Sequence, residues 1–398
     1  MLTKNPMTAL ERRVVVALAM LYSFRMLGLF MVLPLLTLYA ADFRDATPLL
    51  LGVALGAYGF TQALLQIPLG WLSDRVGRKP VIIGGLGLFI AGSVLAALAD
   101  SVQVIAFGRA LQGAGAISAS VMALAADLTS TEQRTKAMAV IGISIGLSFA
   151  MALVFGPLLA AWGGLSAVFW CTAVLGGLGI GIVAWGVPTV PVQEHADIGA
   201  RRGMFAPVLR DNVLQRLNGS VFLLHFTLTA SFLVVPAVIE SSLAVPREDH
   251  WKVYLPVLII SLLGMYPFLY VSERRGRPMM ALRAAVLLLP ASLAALFLLH
   301  APLWLYVALC GFFAAVNYLE AVLPALVSKA VFSHGKGTAL GVYATCQFLG
   351  AFAGGASGGM VYGAAGLPGL LWLCLGAIGL WLLLIWRVPA QRAVPVPA

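Results

Sequence analysis

The sequence predicts an all-α membrane protein of twelve transmembrane helices, arranged as two six-helix halves related by pseudo-symmetry. Three observations carry this. The chain holds little charge: 61% of its 398 residues are hydrophobic and 10% are charged, with a mean hydropathy of +0.98. Soluble domains average about 25% charged residues. A series of apolar runs follows, each long enough at about 1.5 Å per residue to cross a hydrocarbon core of about 30 Å. Finally, one polar loop motif recurs 199 residues further on. The short alternating segments of a transmembrane β-barrel are not found.

The N-terminal stretch "MLTKNPMTALERR" carries charge but precedes no short apolar core with a small-residue cleavage site, so no signal peptide is expected. The first span, 14–40, holds Arg25 about eleven residues in, near the midplane. A charge there costs at least about 2.5–3.5 kcal/mol, so Arg25 is expected to serve a substrate cavity or to pair with backbone or a neighbouring helix. On the second span, 48–72, Tyr58, Gln62 and Gln66 follow i, i+4, i+8 spacing and share one face. The stretch "GWLSDRVGRKP" at 70–80 ends it. Gly70 suits close helix approach and Gly77 a left-handed turn. The third span is 80–99, and the fourth, 102–126, carries Arg109 and Gln112. Spans five and six are 136–161 and 165–187. The Pro- and Gly-containing stretch "PTVPVQEHADIGARRGMFAPVLRDNV", 188–213, reads as a linker between a bundle at 1–187 and a second at 214–398 with a short tail.

Span seven, 214–239, has His225 at its middle. Span eight, 252–271, is followed by "SERRGRP" at 272–278, the echo of "SDRVGRK" at 73–79. After span nine, 280–300, span ten, 303–327, carries Glu320, the one acid well inside a span, and Asn317 three residues before it on the same face. Glu320 and His225 are candidate proton carriers. Span eleven, 338–362, has Tyr343 and Gln347 at i, i+4. Its Gly355-Ala-Ser357-Gly-Gly359 matches a nucleophile-elbow pattern, but in a small-residue helix it reads as tight packing. Span twelve is 366–386. Cys171, Cys310, Cys346 and Cys374 all lie in apolar runs and fit neither a metal site nor a disulfide framework.

With the N-terminus placed in the cytoplasm, 20 of the 25 Lys and Arg fall inside, three (Arg44, Arg247, Lys252) fall outside, and Arg25 and Arg109 lie within spans. This sorting orients the chain with both termini cytoplasmic and explains the net charge of +10 without a nucleic-acid partner.

Gly70-x-x-x-Asp74-Arg75-x-Gly77-Arg78-Lys79 resembles the loop signature of the major facilitator superfamily, across essentially all twelve spans. Arg109-Ala-Leu-Gln112-Gly113-Ala-Gly115 resembles the fourth-helix signature of its proton-coupled members. Leu27-Gly28 followed by Pro34 resembles the first-helix signature of twelve-span drug–proton antiporters. Gly156-Pro157 matches the fifth-helix antiporter signature in part, with Ala160-Ala161 where a glycine pair is expected. "FRMLGLFMVLP" and "KGTALGVYATCQFLG" are similar to YajR-type inner-membrane transporters. Such proteins often carry a soluble C-terminal domain, which a chain stopping about a dozen residues after its last span is expected to lack.

The resemblance implies a bacterial inner-membrane transporter. Gly70, Asp74, Arg75, Gly77, Arg78 and Lys79 would form a cytoplasmic gate with Asp127 and the Gly335–Thr338 stretch, and Arg109 would join Glu320 and His225 in proton coupling. Arg25, Tyr58, Gln62, Gln66, Gln112, Asn317, Tyr343 and Gln347 are expected to line a substrate cavity. The expected partners are the bilayer, protons and a small lipophilic or amphiphilic substrate, with a single chain as the working unit. With no phosphate-binding Gly-rich motif, the energy source is expected to be the proton gradient, without cofactor or metal. Drug–proton antiport is the expected activity; an uncoupled facilitator or a lipid- or lysolipid-type transporter of the same fold is the alternative. No nucleophile–base set points to an enzyme.

Overall fold

The computed structural model describes residues 6–189, 206–299, 301–331 and 336–386. The chain divides into two compact units: Met1–Glu194 with Arg247–Trp251, and His195–Pro246 with Lys252–Ala398.

In the first unit, α1 (Ala9–Met31) opens on a capping box. The Glu11 N–H donates to the Thr8 hydroxyl at 3.2 Å, and the Thr8 N–H donates to the Glu11 carboxylate at 2.8 Å. The helix stops short of the expected span 14–40, and residues 32–39 continue as turns. Pro34 explains the break, having no N–H to donate and a ring that clashes with the preceding turn. After α2 (Pro48–Val76) and α3 (Arg78–Ala97), the expected fourth span divides into α4 (Val102–Ala114) and α5 (Ser118–Asp127). The break lies at Gly115, where a Cβ would stand 2.1 Å from the Gly85 carbonyl oxygen of α3.

Spans five and six run together as α6 (Thr131–Gly181), whose 51 residues would stretch about 76 Å if straight, more than twice the hydrocarbon thickness. Gly163 and Gly164 interrupt it, Gly164 at φ 64° and ψ −165°, so it makes two crossings. The core joins Leu18, Tyr22 and Met26 of α1 to Ile82 and Leu86 of α3 and to Val121 of α5. Arg247, from the connection ahead of span eight, packs in this unit. Its guanidinium lies 4.1 Å from the Tyr39 ring centroid and 3.6 Å from the Asp42 carboxylate.

In the second unit, Asp211 caps α7 (Asn212–Phe232), accepting the N–H groups of Val213 and Leu214 at 2.9 and 3.1 Å. A 41° bend leads into α8 (Val235–Leu243), with Pro236 in its first turn. Then come α9 (Trp251–Gly264), α10 (Tyr266–Leu269), α11 (Pro278–Leu298), α12 (Pro302–Ala330) and α13 (Lys336–Trp386). Like α6, α13 has 51 residues and is broken by a glycine, Gly366, at φ 62° and ψ −158°. Among the described residues nine helices are long and apolar enough to cross a membrane, ten with the bent α7–α8 pair. With α6 and α13 crossing twice, the crossings number twelve, six per unit.

The repeat shows in the backbone itself. The four positive-φ glycines described are Gly77, Gly164, Gly276 and Gly366, two per half at matching places. Apolar side chains also face outward in both units, such as Ile143 at 71% and Leu263 at 72% exposure, which suits lipid as the solvent.

Helix α7 lies closer to α13 than side chains normally allow. A Cβ at Gly350 or Gly354 would sit 2.1 Å from the carbonyl oxygens of Phe222 and Phe226. Gly354→Val is therefore expected to destabilise the second unit by about 3 kcal/mol or more, read as a large drop in melting temperature in detergent. Gly376→Ala, on the same helix with open space around it, should leave the melt unchanged. Equal melts for the two variants would contradict the close contact.

Candidate functional site

Polar groups gather at three places, and each is built by the helices that carry them. The first is the motif loop between α2 and α3. Gly77 takes φ 107° and ψ 152°, a conformation open to glycine, and this turns the chain directly from one helix into the next. The turn brings Arg78 back over the end of α2. Its guanidinium pairs with Asp74, donates to the Ser73 hydroxyl at 2.8 Å and reaches Asp127 at the end of α5 at 3.1 Å. Ser73 in turn donates to the Gly70 carbonyl at 2.7 Å. Asp74 is 5% exposed, so Arg78 is the clamp that keeps a buried carboxylate paired. Lys79 donates to the Ala184 carbonyl at 3.3 Å, and Arg75 is exposed. The Gly70 Cα approaches α5, with Ala119 Cβ 3.2 Å from a notional Cβ. Of the expected partners, Asp127 is reached through Arg78, whereas Gly335 lies outside the described residues.

The second place is the interior of the first unit. Arg25 on α1 donates to the Ser118 hydroxyl of α5 at 2.9 Å and to the Gln62 side-chain carbonyl of α2. The Gln62 amide N–H also donates to Ser118, at 3.0 Å. Arg109 on α4 donates to the Gln112 carbonyl at 3.2 Å and to the Leu55 carbonyl at 3.5 Å, and Gln112 donates to Ser93 at 2.8 Å. Between the two arginines stands Tyr58, its ring centroid 5.6 Å from the Arg25 and 5.3 Å from the Arg109 guanidinium carbon. The fourth-helix glycines make this possible, since a Cβ at Gly113 would lie 2.1 Å from the Tyr58 carbonyl oxygen. Gln66 is buried one turn beyond Gln62.

The third place is the interior of the second unit. His225 Nε2 lies 3.0 Å from Glu320 Oε1 on α12 and 2.8 Å from the Gln347 amide nitrogen on α13. Its Nδ1 lies 3.1 Å from the Val221 carbonyl oxygen one turn back. Tyr343 is buried one turn before Gln347. Asn317 shares the helix face of Glu320 but donates to Ser261 of α9 at 3.0 Å instead. Gln347, expected in a substrate cavity, contacts the histidine that meets the acid. Sequence reasoning passed over Ser93, Ser118 and Ser261, whose hydroxyls complete these networks; a serine in an apolar run is too common to stand out. Among the described residues no cluster of metal-ligating side chains is found.

Residues 18–355 match the family model described as Major Facilitator Superfamily. The chain belongs to that superfamily. It is a membrane transporter, not an enzyme. It is 44% identical over 359 residues to the inner membrane transport protein YajR of Escherichia coli (strain K12), covering 90% of this chain and 79% of that one. It is 27% identical over 378 residues to multidrug resistance protein MdtH of Yersinia enterocolitica (serotype O:8 / biotype 1B), covering 92% of each. The superfamily fold is also that of a crystal structure of a D-xylose-proton symporter, with a TM-score of 0.74, 17% identity, and coverage of 96% of this chain and 98% of that one.

Removing the Arg78 clamp takes the paired guanidinium away from a buried carboxylate. Arg78→Ala is expected to cost about 3 kcal/mol of stability, read as a lowered melting temperature. Asp74→Asn in the same background should restore most of it. No recovery in the double variant would show that Arg78 acts through something other than Asp74.

Proposed function

We propose that the chain is a proton-coupled secondary transporter of the bacterial inner membrane, with both termini cytoplasmic, that exports small lipophilic or amphiphilic compounds by alternating access. The observation that carries this reading is the placement of His225 between Val221, Glu320 and Gln347. A carbonyl oxygen only accepts, so the contact with Val221 fixes the hydrogen on Nδ1. In the neutral ring Nε2 is then a bare lone pair, facing a carboxylate oxygen at 3.0 Å. Two acceptors at that distance repel. One proton therefore belongs between them, held jointly as imidazolium and carboxylate or as imidazole and carboxylic acid.

When that proton leaves, the lone pair on Nε2 needs a donor. The Gln347 amide, 2.8 Å away, supplies it. Glu320, whose side chain is 36% exposed, is then released from the ring. The pair so has a loaded arrangement, with the proton between ring and carboxylate, and an empty one, with the Gln347 N–H on Nε2, and alternating access needs two such states of similar energy. Entry of one proton yields about 2.3 kcal/mol per 100 mV of membrane potential, and no cofactor is needed. The sorting of 20 Lys and Arg to one side against three to the other supports the orientation. The relative named a multidrug resistance protein supports the export of lipophilic compounds.

The test is substrate-induced proton movement in liposomes under an imposed pH gradient, using a panel of amphiphiles. Wild type should release protons on addition of a transported compound, and Glu320→Gln should abolish that release. Gln347→Leu should reduce it by about tenfold, because the emptied ring loses its donor, a charge-free hydrogen bond of about 1 kcal/mol plus the cost of a buried unpaired nitrogen. Coupling that persists undiminished in Glu320→Gln sinks the assignment. Labelled compound crossing without any proton movement in wild type would favour the uncoupled facilitator or lysolipid-type transporter.

A further inference from the structure

The crossings of the first unit hold positive charge without negative charge. Arg25 and Arg109 are each 2% exposed. Residues 12–41, 46–73, 79–99, 101–126 and 133–189, which make up its crossings, contain no Asp or Glu. Among the described residues the guanidiniums hydrogen-bond neutral groups: Ser118 and Gln62 for Arg25, the Gln112 side-chain carbonyl and the Leu55 carbonyl for Arg109. Each guanidinium has five N–H donors in a rigid fork, and the Nε of both arginines has no acceptor. Both cations also lie near one aromatic ring, Tyr58, whose face offers each some negative potential.

A buried ion without a counter-charge is among the costliest arrangements a protein tolerates, several kcal/mol per ion. Two of them near one ring repel each other as well. Neutral hydrogen bonds and a ring quadrupole offset only part of this. A third charge, negative, would offset the rest, and the free Nε–H groups mark where acceptors are lacking.

We infer that the Arg25–Arg109 pair binds the acidic head of the transported compound, so that the substrate is an amphiphilic organic anion: a carboxylate, sulfonate or phosphate on an apolar body. Tyr22 and Met26 precede and follow Arg25 on α1 and belong to the apolar core with Ile117, so the surroundings of Arg25 are otherwise apolar. A cationic compound would meet two like charges, and the crossings of the first unit hold no acid to offset them. This inference rests on the reading of the chain as an exporter of amphiphiles and narrows its substrate class; it makes no use of the proton site on His225 and Glu320.

The test is equilibrium binding by calorimetry to the purified full chain in detergent, at one pH and without a gradient. The probes share an aromatic body and differ in permanent charge: naphthalenesulfonate, naphthalenemethanol and naphthyltrimethylammonium. The sulfonate should bind at least about tenfold more tightly than the other two. Arg25→Gln should weaken the sulfonate about thirtyfold while leaving the neutral alcohol unchanged, the loss expected for removing one partner of a buried charge pair. Arg109→Lys, which keeps the charge but loses the fork, should weaken it less. If Arg25→Gln does not fold, the wild-type ranking of the three probes decides alone.

Equal or tighter binding of the alcohol or the ammonium overturns the inference, as does no binding of any probe. Replacing gluconate by chloride at constant ionic strength separates a further case. If chloride abolishes sulfonate binding while itself stabilising the protein, the pair holds an inorganic anion and the substrate assignment falls. Because the probes do not titrate and no gradient is present, failure here leaves proton release through Glu320 untouched, and failure of proton release leaves the ranking of probes untouched.

Discussion

A guanidinium or carboxylate surrounded by hydrocarbon has no water to turn to, and its cost there, at least about 2.5–3.5 kcal/mol, must be met by side chains on neighbouring helices. That constraint organises both units. Arg25 is met by α2 and α5, Arg109 by α2 and its own helix, and Glu320 by α7. All of these pairings except Arg109 with Gln112 join different helices and thereby fix their rotation about their own axes. Apolar packing against lipid does this poorly, because lipid chains are as apolar as leucine.

The small residues do the complementary work. Glycines at 113 and 115 bring α4 against α2 and α3, and glycines at 350 and 354 bring α13 against α7, at distances where no other residue fits. Close backbone approach shortens the reach required of polar side chains. Tyr58 stands between two arginines because Gly113 lets α4 rest on its carbonyl. Gln347 meets His225 because Gly350 and Gly354, on the same helix, press α13 onto α7. The fourth-helix signature is thus partly a packing motif, and its arginine and its glycines are two halves of one arrangement.

The twelve crossings were legible because hydropathy needs only one helix at a time. The motif loops were legible for a similar reason: Asp74, Gly77 and Arg78 interact within five residues. The pairing of His225 with Gln347, 122 residues apart, was not. Helical periodicity tells which residues share a face, but not which neighbour that face meets. Asn317 and Glu320 illustrate the limit, since three residues on one helix send them to Ser261 on α9 and His225 on α7 respectively. The break of α1 before Pro34 could have been read from the proline alone, and the run of apolar residues on either side obscured it. The double helices α6 and α13 were expected as separate spans, and the connections proved so short that helical hydrogen bonding nearly runs through them.

Those two turns have a consequence for how the chain is made. With one or two glycines between consecutive crossings, there is no stretch long enough for the first to be released into lipid while the second is still awaited. Each pair is therefore expected to enter the bilayer as a hairpin, both limbs together. A reporter sequence spliced in at Gly164 or Gly366 would have to prise apart a hairpin rather than lengthen a loop.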